Sequence, residues 1–403
     1  MKQINFDSGK NLPLRWAGVK DILPKKVFWQ DIRSQVKRMI KEVLEYSLNK
    51  ELEAILQAER YQHTQLRKDY RNGYYKRTLI THLVGRIDNF LVPRSRKGTR
   101  FTVLKKYQRR LDEFDYAVLE CFLNGSSTRK TARFFYNFFR ESTVSHQTVS
   151  NILKRLDSLA SQFLNKRLTD DWVFLMVDAK YIKINPQNKR KKPVIFAIGI
   201  KEDLSYQVLY FKTVSSENEI NYTNFFFDLK DRGLEGNHLK MLICDGKRCI
   251  ENAFLFVYPH RDIQICTIHH TREALKYVKN RKILACLRKK AFTLYRQKTK
   301  QDFLNRLNNL KREYQSREPE FFRIFLKNID KTLTFYNYPQ KYHSLIKSTN
   351  LLERFLRDIE QLTRYWAGFK NIESVTRIVY LLVERFNRRI LGGYGLYEFT
   401  QFF

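Results

Sequence analysis

Apolar residues recur at helical spacing through "VFWQDIRSQVKRMIKEVLEYSLNKELEAILQAER" (residues 27–60), with charges between them. This pattern predicts one or two amphipathic helices. From 74 to 104 the pattern changes to β-branched runs broken by glycines and one proline, where a few short strands are expected. The loop Arg94 to Arg100 holds four basic residues in seven. Helical periodicity returns over 112–166 in three pieces. One helix ends near Gly125, and a second starts at Ser126 or Ser127 and runs to Phe139. A third starts around Ser145 and carries Val149, Ile152, Leu153 and Leu156 on one face. Its N-terminal end is polar (Ser145, His146, Gln147, Ser150), which gives the outline of a helix-turn-helix reader, a pattern that plain bundles share.

Strand patterns begin at 171. "WVFLMVDAKYIKI" and "KPVIFAIGIK" read as strands joined by the basic turn "NPQNKRKK", and "YQVLYFKTV" as a third. A helix from Glu219 to about Lys230 follows, then "LKMLICD" and "DIQICTI" as short buried strands, then helices to residue 389. Three consecutive strands suit an antiparallel meander, and the later pair suits crossover units with parallel strands. That order is the outline of an RNase H-like sheet.

Composition narrows the partner. The 403 residues are enough for two or more domains, and 43% hydrophobic content argues for a folded chain. Lys and Arg exceed Asp and Glu by 35, spread along the whole length, which favours a polyanion such as duplex DNA or RNA. The five cysteines (Cys121, Cys244, Cys249, Cys266, Cys286) are too scattered for a disulfide scaffold. The first residues lack a signal-peptide core, and no apolar run is long enough for a bilayer. A cytoplasmic, nucleoid-associated protein with reduced thiols and no membrane partner is expected.

The candidate chemistry lies in carboxylates. Asp178 interrupts the apolar strand that starts at Trp172, and Asp245 ends another in "CDGKRC". Two acids leaving neighbouring strands of one sheet could share divalent cations, since magnesium takes carboxylate and phosphate oxygens. Asp-Gly is also an ordinary turn pair. A third acid is wanted, and "STNLLERFLRDIEQLTRYW" offers Glu353, Asp358 and Glu360. Glu353 has a local explanation, with Asn350 as N-cap and an acid three residues on, close to a capping box. Spacing does not choose among these acids. Cys266 and His269 form Cys-x-x-His, but Cys244, Cys249, His270 and Cys286 do not complete a paired zinc spacing. A buried strand-end cysteine and a helix-capping or DNA-contacting histidine are the expectation.

Taken in order, these stretches resemble the Mutator-type bacterial insertion-sequence transposases, nearly end to end. The resemblance covers "RNGYYKRTLITHLVGRIDNFLVPRSRKG" with "YQRR", "GSSTRKTARFF", "VSHQTVSNILKRLD", "LMVDAKYIKI" and "FAIGI". It continues through "NFFFDLKDRGLEG", "MLICDGKRCIENAF", "CTIHHTREALKYV" and "STNLLERFLRDIEQLTR". It implies a DDE transposase with an α/β catalytic core of RNase H-like (retroviral integrase) type, interrupted by an all-α insertion. N-terminal helical and helix-turn-helix DNA-binding domains would precede the core. The implied acids are Asp178, Asp245 and Glu353, holding two Mg2+ ions, with Mn2+ as a substitute. Cys266 and His269 match the family's Cys-x-x-His after the second Asp, and a supportive rather than catalytic role is expected for them. Lys247 and Arg248 stand where the family has more neutral residues, and His270 replaces a more apolar one.

The expected organisation is a helical region over 1–70, a β-rich basic segment over 71–110 and a helix-turn-helix-like domain over 111–168. The core would take 169–280 and 346–403, with the insertion at 281–345. Arg94, Arg96, Lys97 and Arg100, with Lys189, Arg190, Lys191, Lys192, Lys247 and Arg248, are the candidate DNA-backbone contacts. Ser145, His146, Gln147 and Ser150 are candidates to read terminal inverted repeats. Partners are then double-stranded DNA, both transposon ends and target, and a second copy in a homodimer or higher assembly. The rivals are an RNase H-like nuclease that does not join ends and a non-catalytic helix-turn-helix regulator.

Overall fold

The computed structural model describes residues 25–184, 191–364 and 368–390. They fall into two compact units, one taking residues up to 120 with 128–149, the other taking 121–127 with 150 onward. In the first, the long helix α1 (Lys25–Leu56) packs on an antiparallel hairpin, β1 (Arg71–Thr81) and β2 (Gly85–Ser95). One helix fills the stretch where one or two were expected, and two strands of eleven residues replace the expected few short ones. Leu48 of α1 meets Leu79, Ile87, Phe90 and Val92 of the hairpin in one buried cluster. The hairpin turn needs Gly85. Its φ is +78°, and a Cβ there would stand 2.9 Å from the Phe139 ring. Helices α2 (Asp112–Leu123), α3 (Thr128–Phe139) and α4 (His146–Lys154) follow, and the division between the units falls inside α4.

The second unit opens with α5 (Leu156–Asn165) and then builds a five-stranded sheet from β3 (Phe174–Lys183), β4 (Lys191–Ile200), β5 (Tyr206–Thr213), β6 (Met241–Cys244) and β7 (Asp262–Ile265). Strand order is β5-β4-β3-β6-β7. The first three strands pair antiparallel, while β6 and β7 are added parallel. Helices α6 (Glu219–Asp231) and α7 (Arg248–Val257) make the crossovers. This is the meander-then-crossover order inferred from the strand pattern. β4 and β6 read as unbroken apolar runs because both faces of this part of the sheet are covered.

Residues of a strand alternate between faces, which sorts the core into two layers. Leu175, Val177, Ile195, Ala197, Leu242 and Cys244 pack with Phe225, Phe226, Ile250 and Phe254 of α6 and α7. The opposite face carries Phe174, Met176, Phe196 and Ile243, all fully buried. After β7 the chain is helical: α8 (Thr267–Leu275), α9 (Arg281–Leu294), α10 (Lys300–Tyr314), α11 (Pro319–Leu326), α12 (Ile329–Thr332), α13 (Gln340–Ile346), α14 (Asn350–Thr363) and α15 (Ile372–Ile390). Helix α14 is strongly amphipathic. Leu351, Leu352, Phe355, Leu356, Ile359 and Leu362 are its buried stripe. Phe355 meets Phe196 with ring centroids 5.4 Å apart, so α14 covers the second face of the sheet.

Phe196 is wholly buried between Phe211 and Phe355. Truncating such a ring removes its burial and leaves a cavity, so Phe196→Ala should lower unfolding free energy by about 3–5 kcal/mol. Urea denaturation followed by circular dichroism measures this.

Candidate active site

Asp178 continues β3 after Val177, and Asp245 follows Cys244, the last residue of β6. The parallel register that pairs Leu175 with Leu242 and Met176 with Ile243 runs on to set Asp178 level with Asp245. Alternation then decides the face. Val177 and Cys244 point to the α6–α7 layer, so both acids point to the side that α14 covers. Across the sheet Asp178 pairs with Phe196, which touches α14 on that same side.

Oδ1 of Asp178 accepts the Ala179 N–H at 2.7 Å. Burial, and after it the charge of Asp245, push the Asp178 carboxyl up to about 6. Asp245 is better neutralised. It accepts the Lys247 N–H at 3.2 Å and faces Lys247 Nζ at 3.1 Å. The tight turn depends on Gly246, with φ +88°, where a Cβ would press to 3.0 Å from Ile265. Lys247 Nζ also sits 2.5 Å from Glu217, a buried carboxylate that accepts the Tyr222 hydroxyl at 3.1 Å. No single feature of the sequence singles out Glu217. It stands in a polar run, "SSENE", ahead of α6.

The third acid comes from α14. Thr349, not Asn350, is the N-cap residue, and no side chain caps this helix. The Thr349 hydroxyl and N–H both go to Cys266 Sγ, at 3.2 and 3.3 Å. The capping-box explanation of Glu353 is therefore not realised. Its carboxylate instead lies 3.9 Å from His269 Nε2 and 3.6 Å from Arg272. Oε1 is buried with no hydrogen-bond partner. The other acids of the helix are engaged elsewhere. Glu360 is exposed and pairs with Lys180 at 2.7 Å, and Asp358 lies 3.9 Å from Arg389. His269 is held cationic. Hydrogen bonding to Cys266 raises it against the effect of burial, and the charges of Asp178 and Glu353 add, to about 9.

The remaining candidates are dispersed. Arg94, Arg96, Lys97 and Arg100 are exposed, with Arg94 over the Tyr75 ring and Arg96 over Tyr70. Ser145 accepts the Thr148 N–H at 3.1 Å, so its hydroxyl caps α4, while His146 and Gln147 are exposed and Ser150 is half-buried. Lys189 and Arg190 lie outside the described residues. Lys191 lines a groove between β3 and α14 together with Lys180, Lys183, Arg357 and Arg364. Sequence reasoning missed Arg357, whose position on the polar face of α14 is the signal that could have found it. Lys192 pairs across the hairpin with Ile182, and Arg248 is exposed at the start of α7.

Such a donor set suits a hard divalent cation. Two like-charged carboxylates stand side by side, one of them with its pKa raised, and Glu353 presents a buried oxygen that nothing in the chain satisfies. Proton and cation then compete for Asp178. Because its folded pKa is raised, the folded chain keeps a proton that the unfolded chain has lost between about pH 4 and pH 6. The stability this confers is full below about pH 4 and is lost as pH rises through about 6. Without metal, the chain should lose thermal stability over that window, and Asp178→Asn should remove the loss and gain about 1–3 kcal/mol at neutral pH. Affinity for Mn2+ should fall by up to about tenfold per pH unit below about 6. Melting curves and metal titrations at two pH values check both.

Comparison with known proteins bears on what such a site serves. The sequence profile described as "Transposase, Mutator family" matches residues 22–389. The transposase for insertion sequence element ISRM5 of Rhizobium meliloti (strain 1021) is 30% identical over 365 residues, covering 90% of this chain and 89% of that protein. The transposase for IS256 in transposon Tn4001 of Staphylococcus aureus is 30% identical over 336 residues, covering 80% and 83%. Among solved structures, the Mos1 transposase paired-end complex with left transposon end is 12% identical over 72% of this chain and 80% of that one, with a TM-score of 0.18. At that score the likeness adds nothing to the topology described above. Profile and relatives each span most of the chain, and the chain belongs to the Mutator family of transposases.

Proposed function

We propose that the chain is the DNA transposase of an insertion sequence, with an RNase H-like core in which Asp178, Asp245 and Glu353 hold two magnesium ions. One observation carries the assignment of the acids. Two registered strand ends and an amphipathic helix aim their carboxylates at one side of the sheet, and the local capping explanation of Glu353 is absent. Bound magnesium would supply activation of the attacking oxygen and stabilisation of the leaving oxygen in phosphodiester displacement.

The chain's own residues do the rest. Asp178, kept poor in hydrogen bonds, and Glu353, with a bare oxygen, offer ligands that lose little on giving up their present contacts. Lys247 holds Asp245 through its N–H and its ammonium group. Lys180, Lys183, Lys191, Arg357 and Arg364 give the adjoining groove the charge to hold a phosphate backbone. Exposed Arg94, Arg96, Lys97 and Arg100 would track the duplex from the hairpin unit, and α4 would read the terminal repeats. Water is the nucleophile of the nicking step, and a freed 3′-hydroxyl is that of the joining step. Joining two ends to a target implies at least a dimer. Among the described residues no helix is long and apolar enough to cross a membrane.

Asp178→Asn, Asp245→Asn and Glu353→Gln should each abolish metal-dependent cleavage of transposon-end DNA while end binding persists, and Glu360→Gln should cleave normally. Pre-nicked ends offered with target DNA separate joining from hydrolysis: joined products are expected, and shortened products alone would mean a nuclease. Full cleavage by Asp178→Asn would sink the assignment. Arg357→Ala should weaken end binding across sequences and reduce the slope of log affinity against log salt by about 1, measured by fluorescence anisotropy at several salt concentrations.

A further inference from the structure

Cys266 and His269 take no part in the chemistry above, yet they lie against a residue that does. Cys266 directly follows β7 and precedes α8, and Thr349 precedes α14; both are fully buried. Thr349 gives both of its donors to one sulfur, N–H at 3.3 Å and hydroxyl at 3.2 Å. Next to this contact the Thr267 N–H donates to the Lys347 carbonyl at 3.1 Å. The N-termini of α8 and α14 are thus tied together at one point, at the end of a β-strand.

From that point each helix sends one side chain toward the other. Along α14, the Thr349 carbonyl accepts the Glu353 N–H at 2.8 Å, which places Glu353 one turn up. Along α8, His269 Nδ1 is 3.5 Å from the Thr349 hydroxyl, and its Nε2 is 3.9 Å from Glu353 Oε1. Arg272, one turn further on, is 3.6 Å from Oε2. The two oxygens of Glu353 therefore face two nitrogen-bearing side chains carried by α8, at distances that orient the carboxylate while leaving Oε1 without a hydrogen bond.

A soft-metal site is the competing explanation, since Cys266, His269 and Glu353 offer donor atoms within 4.8 Å of one another. A closed structural zinc site takes four such donors, and among the described residues this group offers three. The sulfur is, moreover, already taken by Thr349. We propose that Cys266, Thr349 and His269 are positioning residues: the sulfur clamp fixes α14 to the sheet, and His269 aims the Glu353 carboxylate at Asp178 and Asp245. This rests on the reading of Glu353 as a metal ligand. Outer-shell partners of this kind hold a ligand oriented before the ion arrives, and their loss costs about 10–100-fold in metal affinity or activity.

The test uses the full-length chain without DNA and reads Mn2+ affinity by electron paramagnetic resonance, with melting temperature alongside. His269→Gln and Thr349→Val should fold and bind end DNA, yet weaken Mn2+ binding by about 10–100-fold. In a Glu353→Gln background, His269→Gln should add less than about twofold, because its effect passes through that carboxylate. Thr349→Ser, which keeps both donors, should restore affinity. If His269→Gln and Thr349→Val keep wild-type affinity while the melting temperature drops, the clamp is merely structural and the proposal fails. It fails equally if the His269→Gln loss adds in full to that of Glu353→Gln. Unchanged affinity in Glu353→Gln overturns the proposal together with the metal-ligand reading beneath it, and so separates the two failures.

Discussion

Two carboxylates are held level at neighbouring parallel strands, where their charges repel each other. Side-chain alternation fixes the face, the β3–β6 register fixes the level, and the Gly246 turn fixes where β6 ends. Burial itself, and after it the charge of Asp245, push the Asp178 carboxyl up to about 6. A fold selected for stability alone would place an apolar pair there, like the rest of that layer. The arrangement makes physical sense when a divalent cation joins the acids, because the ion converts the repulsion into shared attraction.

Around that constraint the chain distributes cations without closing the site. Lys247 is held between Asp245 and Glu217, His269 and Arg272 stand off from Glu353, and Asp178 is left with one backbone N–H. Helix α14 serves two ends at once. Its apolar stripe seals the second face of the sheet, and Glu353, beside that stripe, faces His269 and Arg272. The polar side of the same helix lines the basic groove with Arg357 and Arg364, so one element joins the core, the proposed metal ligand and a basic surface. Tying its N-terminus to Cys266 gives this helix a fixed origin relative to β7.

Much of the sheet was legible in the sequence because β3, β4 and β5 are long apolar runs separated by polar turns, and period and turn chemistry are local signals. Asp178 and Asp245 stood out as acids where buried strands should continue or end. Their being level could not be read, since register is set by pairing between segments far apart in sequence. Glu353 shows the limit most clearly. Its neighbours spell a capping motif, and only a sulfur more than eighty positions upstream takes the threonine donors away from it. Arg272 and Glu217 were missed for the same reason: each matters through a partner in another element. In the hairpin unit the residue types were right, but the sequence overcounted the strands. Gly85 does mark the turn, but the register irregularities between Arg71 and Tyr74 and between Arg77 and Leu79 leave β1 continuous over eleven residues.

Whether Asp178, Asp245 and Glu353 form one divalent-cation site is decided by anomalous diffraction from crystals of the full chain soaked in Mn2+. Anomalous peaks with coordination bonds of about 2.0–2.2 Å to oxygens of all three residues are expected. A peak held instead by Cys266 and His269, or ions bound with Glu353 still turned to Arg272 and out of the coordination sphere, would mean that the three acids do not share a site.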